Sequence, residues 1–239
     1  MAFTYFFRDL QTLELLVDES LPTLCSQAFI RIWDAGCAHG PEPYSLAILL
    51  RERMSDFVFR NVRIFATDVE SQFGSQVASG VYTEQETKRI PAPLLQRYFQ
   101  PAGEPNHVQV VEEIRKKIVF ANHDLLSLSP PRDDFSLIVC KNVLLHFDDA
   151  QRQLVYRMFH GALRPGGLLA TEHTQKLPEA LQRHFRPIAP YAQVAERLNL
   201  SEDRFSFVDG PHAGAAALGQ DRRGTQPTGI GSVVSRGAE

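Results

Sequence analysis

The chain has 239 residues, of which 44% are apolar and 22% are charged, and its formal net charge is −3. This length suits one domain of medium size with at most a small insert, and the composition is ordinary for a globular protein. A charge so close to zero excludes a global electrostatic attraction to nucleic acid or to an anionic membrane, so neither is predicted as a partner.

Three cysteines are present: Cys25, Cys37 and Cys140. No pair has the CxxC spacing and their number is odd, so the sequence predicts neither a disulfide framework nor a metal site. A reducing cytoplasm fits this usage best. The first ten residues carry charges, which is not typical of a signal peptide or a membrane span. The oligomeric state is left open.

Predicted strands and helices alternate along the chain. The predicted strands are 29–36, 62–68, 107–111, 114–122, 135–143, 168–173 and an edge strand at 204–209. The predicted helices are 41–54, 70–78, 82–98 (interrupted by Pro91 and Pro93) and 149–163, and RPGG at 164–167 is a predicted turn. This alternation predicts a parallel sheet with helices on both faces, and a ligand site beyond the carboxyl ends of its strands.

The last thirty or so residues differ from the rest of the chain. Residues 210–239 are rich in Gly, Ala and polar residues and show no apolar periodicity. Such a composition is typical of a disordered tail. We therefore expect one folded domain over residues 1–209.

A glycine loop follows the first predicted strand, where the sequence reads DAGCAHG from Asp34 to Gly40. Glycine lets the backbone pass close to a ligand. The dinucleotide pattern GxGxxG is absent because Cys37 and Ala38 follow Gly36, which disfavours a nicotinamide-dependent enzyme. The loop favours an uncharged nucleoside and an amino-acid moiety, although a purely structural strand–helix turn remains an alternative.

Polar residues follow three further strands. Asp68 ends its strand and can accept hydrogen bonds from ribose hydroxyls, or it caps the next helix. Asp124 can meet an adenine edge, or it is a turn residue. Asn142 and His146 follow the strand IVC and are expected to line the cleft.

These motifs together resemble the CheR-type protein-glutamate O-methyltransferases of chemotaxis receptors. The resemblance covers roughly residues 3–195. The matching stretches are TYFFRD (4–9), RIWDAGCAHGPEPYSLA (31–47), ATD (66–68), RYF (97–99), CKNVLLHFD (140–148) and LRPGGLL (163–169). FFRD, EPYSLA and KNVLLHFD in combination are highly specific, whereas PGG and the glycine loop alone are not.

The resemblance implies a Rossmann-like class I methyltransferase fold, with a small β-subdomain inserted at about residues 97–120. It implies S-adenosyl-L-methionine as cofactor and S-adenosyl-L-homocysteine as product. The implied cofactor-binding residues are Thr4 and Arg8 over the methionine end, Gly36 and Cys37 along it, Glu42 at the amino group, Asp68 at the ribose, Asp124 and Leu125 at the adenine, and Asn142 near the amino-acid portion. Arg8 and His146 are the implied catalytic residues.

Three departures from the family pattern affect the expected chemistry. Lys141 stands where the family has Arg, and His146 stands where it has a Tyr near the reacting methyl group. Lys and Arg are not interchangeable where a planar fork is used. The chain also begins where the family's linker ends, so the helical N-terminal domain that helps to recognise the receptor is not in this sequence.

Three functions are therefore expected to compete. The first is O-methylation of a glutamate in the cytoplasmic region of a chemoreceptor, a carboxylate that is already ionised at neutral pH because its pKa is about 4.3. The second is methylation of another acceptor, such as a small-molecule carboxylate; for an amine or hydroxyl acceptor, His146 is a candidate base. The third is a non-catalytic module that binds S-adenosyl-L-methionine.

Overall fold

The structure, a computed structural model, describes residues 4–172, 176–188 and 194–199. These residues belong to one compact unit, Met1–Glu202. The predicted edge strand at 204–209 and the predicted disordered tail at 210–239 lie outside the described residues. No helix in the described part is long and apolar enough to cross a membrane.

Nine α-helices occur within the described ranges: α1 (Leu10–Cys25), α2 (Pro41–Arg53), α3 (Asp56–Phe59), α4 (Phe73–Ser79), α5 (Glu84–Thr87), α6 (Ala92–Tyr98), α7 (Glu112–Arg115), α8 (Asp149–Ala162) and α9 (Glu179–Gln182). Ten strands accompany them: β1 (Ile30–Ala35), β2 (Val62–Asp68), β3 (Val81–Thr83), β4 (Phe99–Pro101), β5 (His107–Val110), β6 (Ile118–Asn122), β7 (Phe135–Cys140), β8 (Leu163–Thr171), β9 (Phe185–Pro187) and β10 (Val194–Arg197). Short 3₁₀ turns lie at Leu125–Ser127 and Leu144–His146.

The main sheet has seven strands in the order β6-β2-β1-β7-β8-β10-β9. The first five run parallel, whereas β10 is antiparallel to both of its neighbours. The predicted Rossmann-like α/β fold is confirmed. The direction of strand succession reverses between β1 and β7, so the carboxyl ends of these two strands form the crevice where such sheets bind ligands.

The central strands are buried because helices cover both faces of the sheet. Along β1, Ile32 packs into a cluster that includes Leu46 and Leu50 of α2, and the next residue, Trp33, packs into a second cluster with Phe159 of α8. Successive side chains of a strand point to opposite faces, so β1 contributes to both halves of the core. This burial holds the carboxyl end of β1 rigidly.

A separate three-stranded antiparallel sheet has the order β3-β5-β4. We expected a β-subdomain at about 97–120, but this sheet begins earlier, at Val81, and ends at Val110, while β6 belongs to the main sheet. The helix expected from Tyr82 was wrong at its start, because Val81–Thr83 pairs with β5 as a strand. Thr83 then caps α5 through a capping box with Glu86, which places the helix start two residues later.

The RPGG segment at 164–167 was predicted as a turn, and this was wrong. It lies inside β8, and the register against β7 shifts between Phe135 and Leu137. Gly166 has a φ of 75°, a left-handed conformation that glycine adopts without strain. Within the part of the chain that the structure describes, residues 164–167 have no partner in the register with β7, so they form an irregular segment inside β8 and not a chain reversal.

Gly36, directly after β1, has a φ of 99°, and a Cβ atom there would lie 2.1 Å from Cγ2 of Val143. Gly36→Ala is therefore expected to lower the free energy of unfolding by about 3 kcal/mol, through backbone strain and overpacking. Gly161→Ala in α8 is the matched control, because its Cβ would meet no atom within 4 Å. Helix propensity predicts a gain of about 0.5–1 kcal/mol there. Urea unfolding curves measure both, and equal effects would contradict the strain argument.

Candidate active site

The ten residues singled out in the sequence all line one cavity of about 690 Å³. They are Thr4, Arg8, Gly36, Cys37, Glu42, Asp68, Asp124, Leu125, Asn142 and His146. Seven others line it as well: Ala38, Val69, His123, Lys141, Val143, Leu145 and Phe147. The cavity lies beyond the carboxyl ends of β1, β2, β6 and β7, and its volume is within the usual range for a small-molecule site.

The glycine loop after β1 is hydrogen-bonded to the end of β2. The N–H groups of Gly36 and Cys37 both donate to the carbonyl of Thr67, at 2.8 and 2.9 Å. The N–H of Ala38 donates to Oδ2 of Asp68 at 2.9 Å. Three successive backbone donors are thus satisfied by two residues of the neighbouring strand, which fixes the floor of the cavity.

Asp68 and Asp124 both have structural roles at their turns. Oδ1 of Asp68 accepts from the N–H of Glu70 at 3.0 Å, while Oδ1 of Asp124 accepts from the N–H of Leu126 at 2.8 Å and caps a 3₁₀ turn. A carboxylate offers about four lone-pair sites. The turn roles that the sequence left open therefore leave both carboxylates with lone pairs for further hydrogen-bond donors.

Lys141 contacts two acidic side chains and a backbone carbonyl at the cavity. Its side chain is only 2% exposed, and Nζ lies 3.2 Å from Oδ2 of Asp9 and 3.4 Å from Oε2 of Glu42. Nζ also donates to the backbone carbonyl of Arg8 at 3.5 Å. An ammonium has three donors, and here they join the N-terminal segment to α2. The sequence had marked Lys141 only as a departure from the family pattern.

The segment FFRD presents Arg8 to the cavity from a strained backbone. Phe7 and Asp9, on either side of Arg8, have φ values of 56° and 53°, in the left-handed region that is uncommon for residues other than glycine. The N–H of Phe7 donates to Oγ of Ser45 on α2 at 2.8 Å. Such strain persists where the surroundings over-determine the backbone, and it concentrates at functional sites.

Asp34, at the end of β1, is buried behind the cavity floor, and neither carboxylate oxygen has a hydrogen-bond partner among the described residues. Burial raises its pKa well above the ordinary 3.8, and the nearby Glu42 raises it further while Lys141 opposes the shift. Burial also raises the pKa of Glu42, again against Lys141. Asp34 belongs to the predicted glycine loop but was not among the predicted site residues. The signal that could have identified it is an acid at the end of a buried strand.

Asn142 and His146 occupy the opposite wall. Asn142 has a φ of 61°, and its N–H donates to Oε2 of Glu172 at 3.1 Å. Burial raises the pKa of Glu172, a residue that sequence reasoning missed. His146 is exposed and ends the 3₁₀ turn at the rim of the cavity.

Comparison with known proteins decides the family. Residues 2–192 match the family described as "CheR methyltransferase, SAM binding domain". The chain belongs to the CheR methyltransferase family. The predicted resemblance is therefore confirmed, as is S-adenosyl-L-methionine as the cofactor of this domain.

Several curated CheR relatives are similar to this chain. "Chemotaxis protein methyltransferase 2" of Vibrio cholerae is 30% identical over 179 residues, which is 73% of this chain and 62% of the relative. "Chemotaxis protein methyltransferase" of Escherichia coli is 31% identical, over 76% and 63% of the two chains. "Chemotaxis protein methyltransferase 2" of Pseudomonas aeruginosa is 34% identical, over 74% and 64%. The match thus spans less than two thirds of each relative's length.

The residues of the CheR cavity fit this cofactor. S-adenosyl-L-methionine carries an ammonium and a sulfonium, and a nearby cation would favour the ionised forms of the buried acids Asp34 and Glu42. Asp68 offers remaining lone pairs to a ribose diol. Leu125 and Val143 supply apolar contact.

Asp34→Asn tests the charge at the cavity floor in the cofactor-free protein. Between pH 3.8 and its raised pKa, wild-type Asp34 keeps a proton when folded that it loses when unfolded, so the free energy of unfolding falls as pH rises through this interval. Asparagine removes this fall, and the variant is expected to gain about 1 kcal/mol or more relative to wild type by pH 8.

Urea unfolding at pH 4.5, 6 and 8 measures this difference. Asp133→Asn is the matched control, since Asp133 is exposed and lies outside the cavity. A difference between Asp34→Asn and wild type that stays constant with pH would contradict the assignment.

Proposed function

We propose that this CheR-family chain transfers a methyl group from S-adenosyl-L-methionine to a carboxylate oxygen of a glutamate side chain, in the cytoplasmic region of a chemotaxis receptor. The observation that carries the proposal is the single cavity that contains all ten residues whose roles the family pattern implies. The printed names of the relatives, chemotaxis protein methyltransferases, supply the acceptor class. In this proposal residues 1–209 form the catalytic domain, and the three-stranded sheet is its insert.

The cofactor would be held along the carboxyl ends of the strands. Glu42 would accept from the ammonium, and Asp68 would accept from the ribose hydroxyls with the lone pairs that the backbone leaves. Asp124 and Leu125 would contact the adenine, while Gly36, Cys37 and Asn142 would line the remaining length. Thr4 would close the methionine end.

For this reaction the protein has to position the acceptor oxygen against the methyl group and remove the water around it. The bound cofactor supplies an electrophilic methyl group on a sulfonium. A glutamate acceptor is ionised at neutral pH, so no general base is required. Arg8 would hold the acceptor carboxylate through a two-pronged charged hydrogen bond. Orientation of this kind contributes up to about 7–11 kcal/mol in ideal cases.

A second candidate acceptor is favoured by one residue. His146 stands exposed at the rim, where the family has a tyrosine. An imidazole could take a proton from an amine or a hydroxyl acceptor, which a carboxylate acceptor would not need. A small-molecule acceptor, including a carboxylate, is therefore the alternative to the receptor.

The acceptor is tested with methyl-labelled S-adenosyl-L-methionine and two pools: cytoplasmic fragments of chemotaxis receptors and a small-molecule extract of the host. We expect base-labile label on the receptor fragments, because methyl esters hydrolyse in base. Label confined to the extract would instead support the alternative. No label in either pool, with cofactor binding intact, would overturn the proposal in favour of a non-catalytic binding module.

Arg8→Gln is expected to lower kcat/KM for the receptor fragment about 10–100-fold, since a hydrogen bond to a charged group contributes about 1.5–3 kcal/mol. The affinity for S-adenosyl-L-homocysteine should change less than this. Lys116→Gln is the matched control, because Lys116 is an exposed cation at the end of α7 whose ion pair is with Glu112 of the same helix. Equal kcat/KM in Arg8→Gln and wild type would remove Arg8 from the acceptor site.

His146→Tyr separates the two acceptor classes. With a carboxylate acceptor, turnover should persist, and wild type and variant should share the same pH profile, because no general base takes part. With an amine or hydroxyl acceptor, turnover should fall at least about 100-fold, the usual contribution of a general base. The measurement is the pH dependence of kcat/KM for wild type and variant.

A further inference from the structure

Tyr82 connects the small three-stranded sheet to the cofactor loop. It lies in β3, its side chain is 1% exposed, and its hydroxyl donates to the backbone carbonyl of His39 at 2.7 Å. His39 stands between Ala38, which lines the cofactor cavity, and Gly40, which precedes α2. A residue of the insert therefore holds a backbone group of the loop on which the cavity is built.

The contact is close enough to dictate the residue at position 40. Gly40 has a φ of 104°, and a Cβ atom there would lie 2.6 Å from the hydroxyl oxygen of Tyr82. A side chain at this position would clash with Tyr82 as well as strain the backbone. The loop and the tyrosine thus fit each other only with glycine in between.

Tyr82 also contacts the N-terminal segment that contributes Thr4 and Arg8 to the cavity. Its ring meets Phe6 edge to face, with centroids 4.8 Å apart, and Phe6 also meets Phe99 of β4 at 5.4 Å. Phe6 is fully buried and lies between Thr4 and Arg8, two residues of the cavity lining. Both the loop and the N-terminal segment therefore rest on the small sheet.

We propose that Tyr82 is a positioning residue for cofactor binding, whose hydroxyl holds the loop from Gly36 to Gly40 in the conformation that receives S-adenosyl-L-methionine. Because coupling between two sites is reciprocal, the bound cofactor also stabilises β3 of the small sheet. The inference rests on the cofactor of the family domain and not on the identity of the methyl acceptor.

Tyr44 provides a matched control within the same aromatic cluster. It is fully buried, its ring lies edge to face with Tyr82 at 6.1 Å, and its hydroxyl donates to the carbonyl of Val77 in α4 at 2.6 Å. Burial raises the pKa of both hydroxyls, so both are protonated donors at neutral pH. Tyr44→Phe and Tyr82→Phe thus remove equivalent hydrogen bonds, and only the second bond reaches the loop.

The test is calorimetric titration of S-adenosyl-L-homocysteine into wild type, Tyr82→Phe and Tyr44→Phe, with urea midpoints for all three. Tyr82→Phe is expected to weaken binding about fivefold, the effect of one neutral hydrogen bond. Tyr44→Phe is expected to stay within about twofold of wild type at a similar loss of stability. Unchanged affinity in Tyr82→Phe, or an equal loss in both variants, would overturn the proposal and leave Tyr82 with a structural role.

Hydrogen exchange supplies a readout that does not need the cofactor. In the cofactor-free proteins, the amides of Gly36–Gly40 should exchange faster in Tyr82→Phe than in Tyr44→Phe, and equal rates would contradict the inference. With S-adenosyl-L-homocysteine, the amides of Val81–Thr83 should gain protection in wild type but not in Tyr82→Phe. A wild type that binds no S-adenosyl-L-homocysteine would refute the proposed function, while the exchange rates of the loop would still decide the role of Tyr82.

Discussion

The end of β2 accepts three consecutive N–H groups from the loop after β1, two at the carbonyl of Thr67 and one at the carboxylate of Asp68. These bonds require the backbone to turn with a positive φ at Gly36, against Val143, where no Cβ atom fits. The cofactor cavity is built outward from this junction. A substitution that shifts the loop is expected to displace the cavity floor, because Gly36, Cys37 and Ala38 all line the cavity.

Two buried acids, Asp34 and Glu42, favour the binding of a cation at this site. Asp34 and Glu42 are desolvated, and the pKa of each is raised, with Lys141 partly compensating both. Buried carboxyl groups lower the stability of a protein when their ionised forms are poorly solvated, and such costs are characteristic of binding sites. In the CheR family domain, a ligand that carries an ammonium and a sulfonium can offset this cost, because its positive charges stabilise the ionised forms of the two acids.

Two segments distant in sequence complete the cavity. Lys141 attaches the strained FFRD turn to α2 through Asp9 and Glu42, and so orients the neighbouring Arg8. The small sheet supports the same segment through Phe6 and the loop through Tyr82. The shape of the site therefore depends on contacts between the small sheet, the segment from Thr4 to Asp9 and the parallel sheet, which belong to different parts of the chain.

The sequence by itself determined the fold class, the main strands and, through the family resemblance, ten of the residues that line the cavity. Each of these follows from local signals in the sequence. The signals are apolar runs that end in glycine or an acid, a proline in the first turn of α2, and motifs of fixed spacing. Parallel strands bring their carboxyl ends to one edge, so residues such as Asp68 and Asn142 were expected to meet before any distance was known.

Only the tertiary structure decided the features that depend on neighbours distant in sequence. Tyr82 has a helix-like pattern around it but pairs with β5, because strand pairing outweighs local preference there. RPGG has turn residues but lies as an irregular segment inside β8. The ion pair of Lys141 with Asp9, and the lack of a hydrogen-bond partner for the carboxylate of Asp34 among the described residues, follow from the packing of β1, β7 and the N-terminal segment. Hydrogen-bond and charge partners across a fold are set by packing, which no short stretch of sequence encodes.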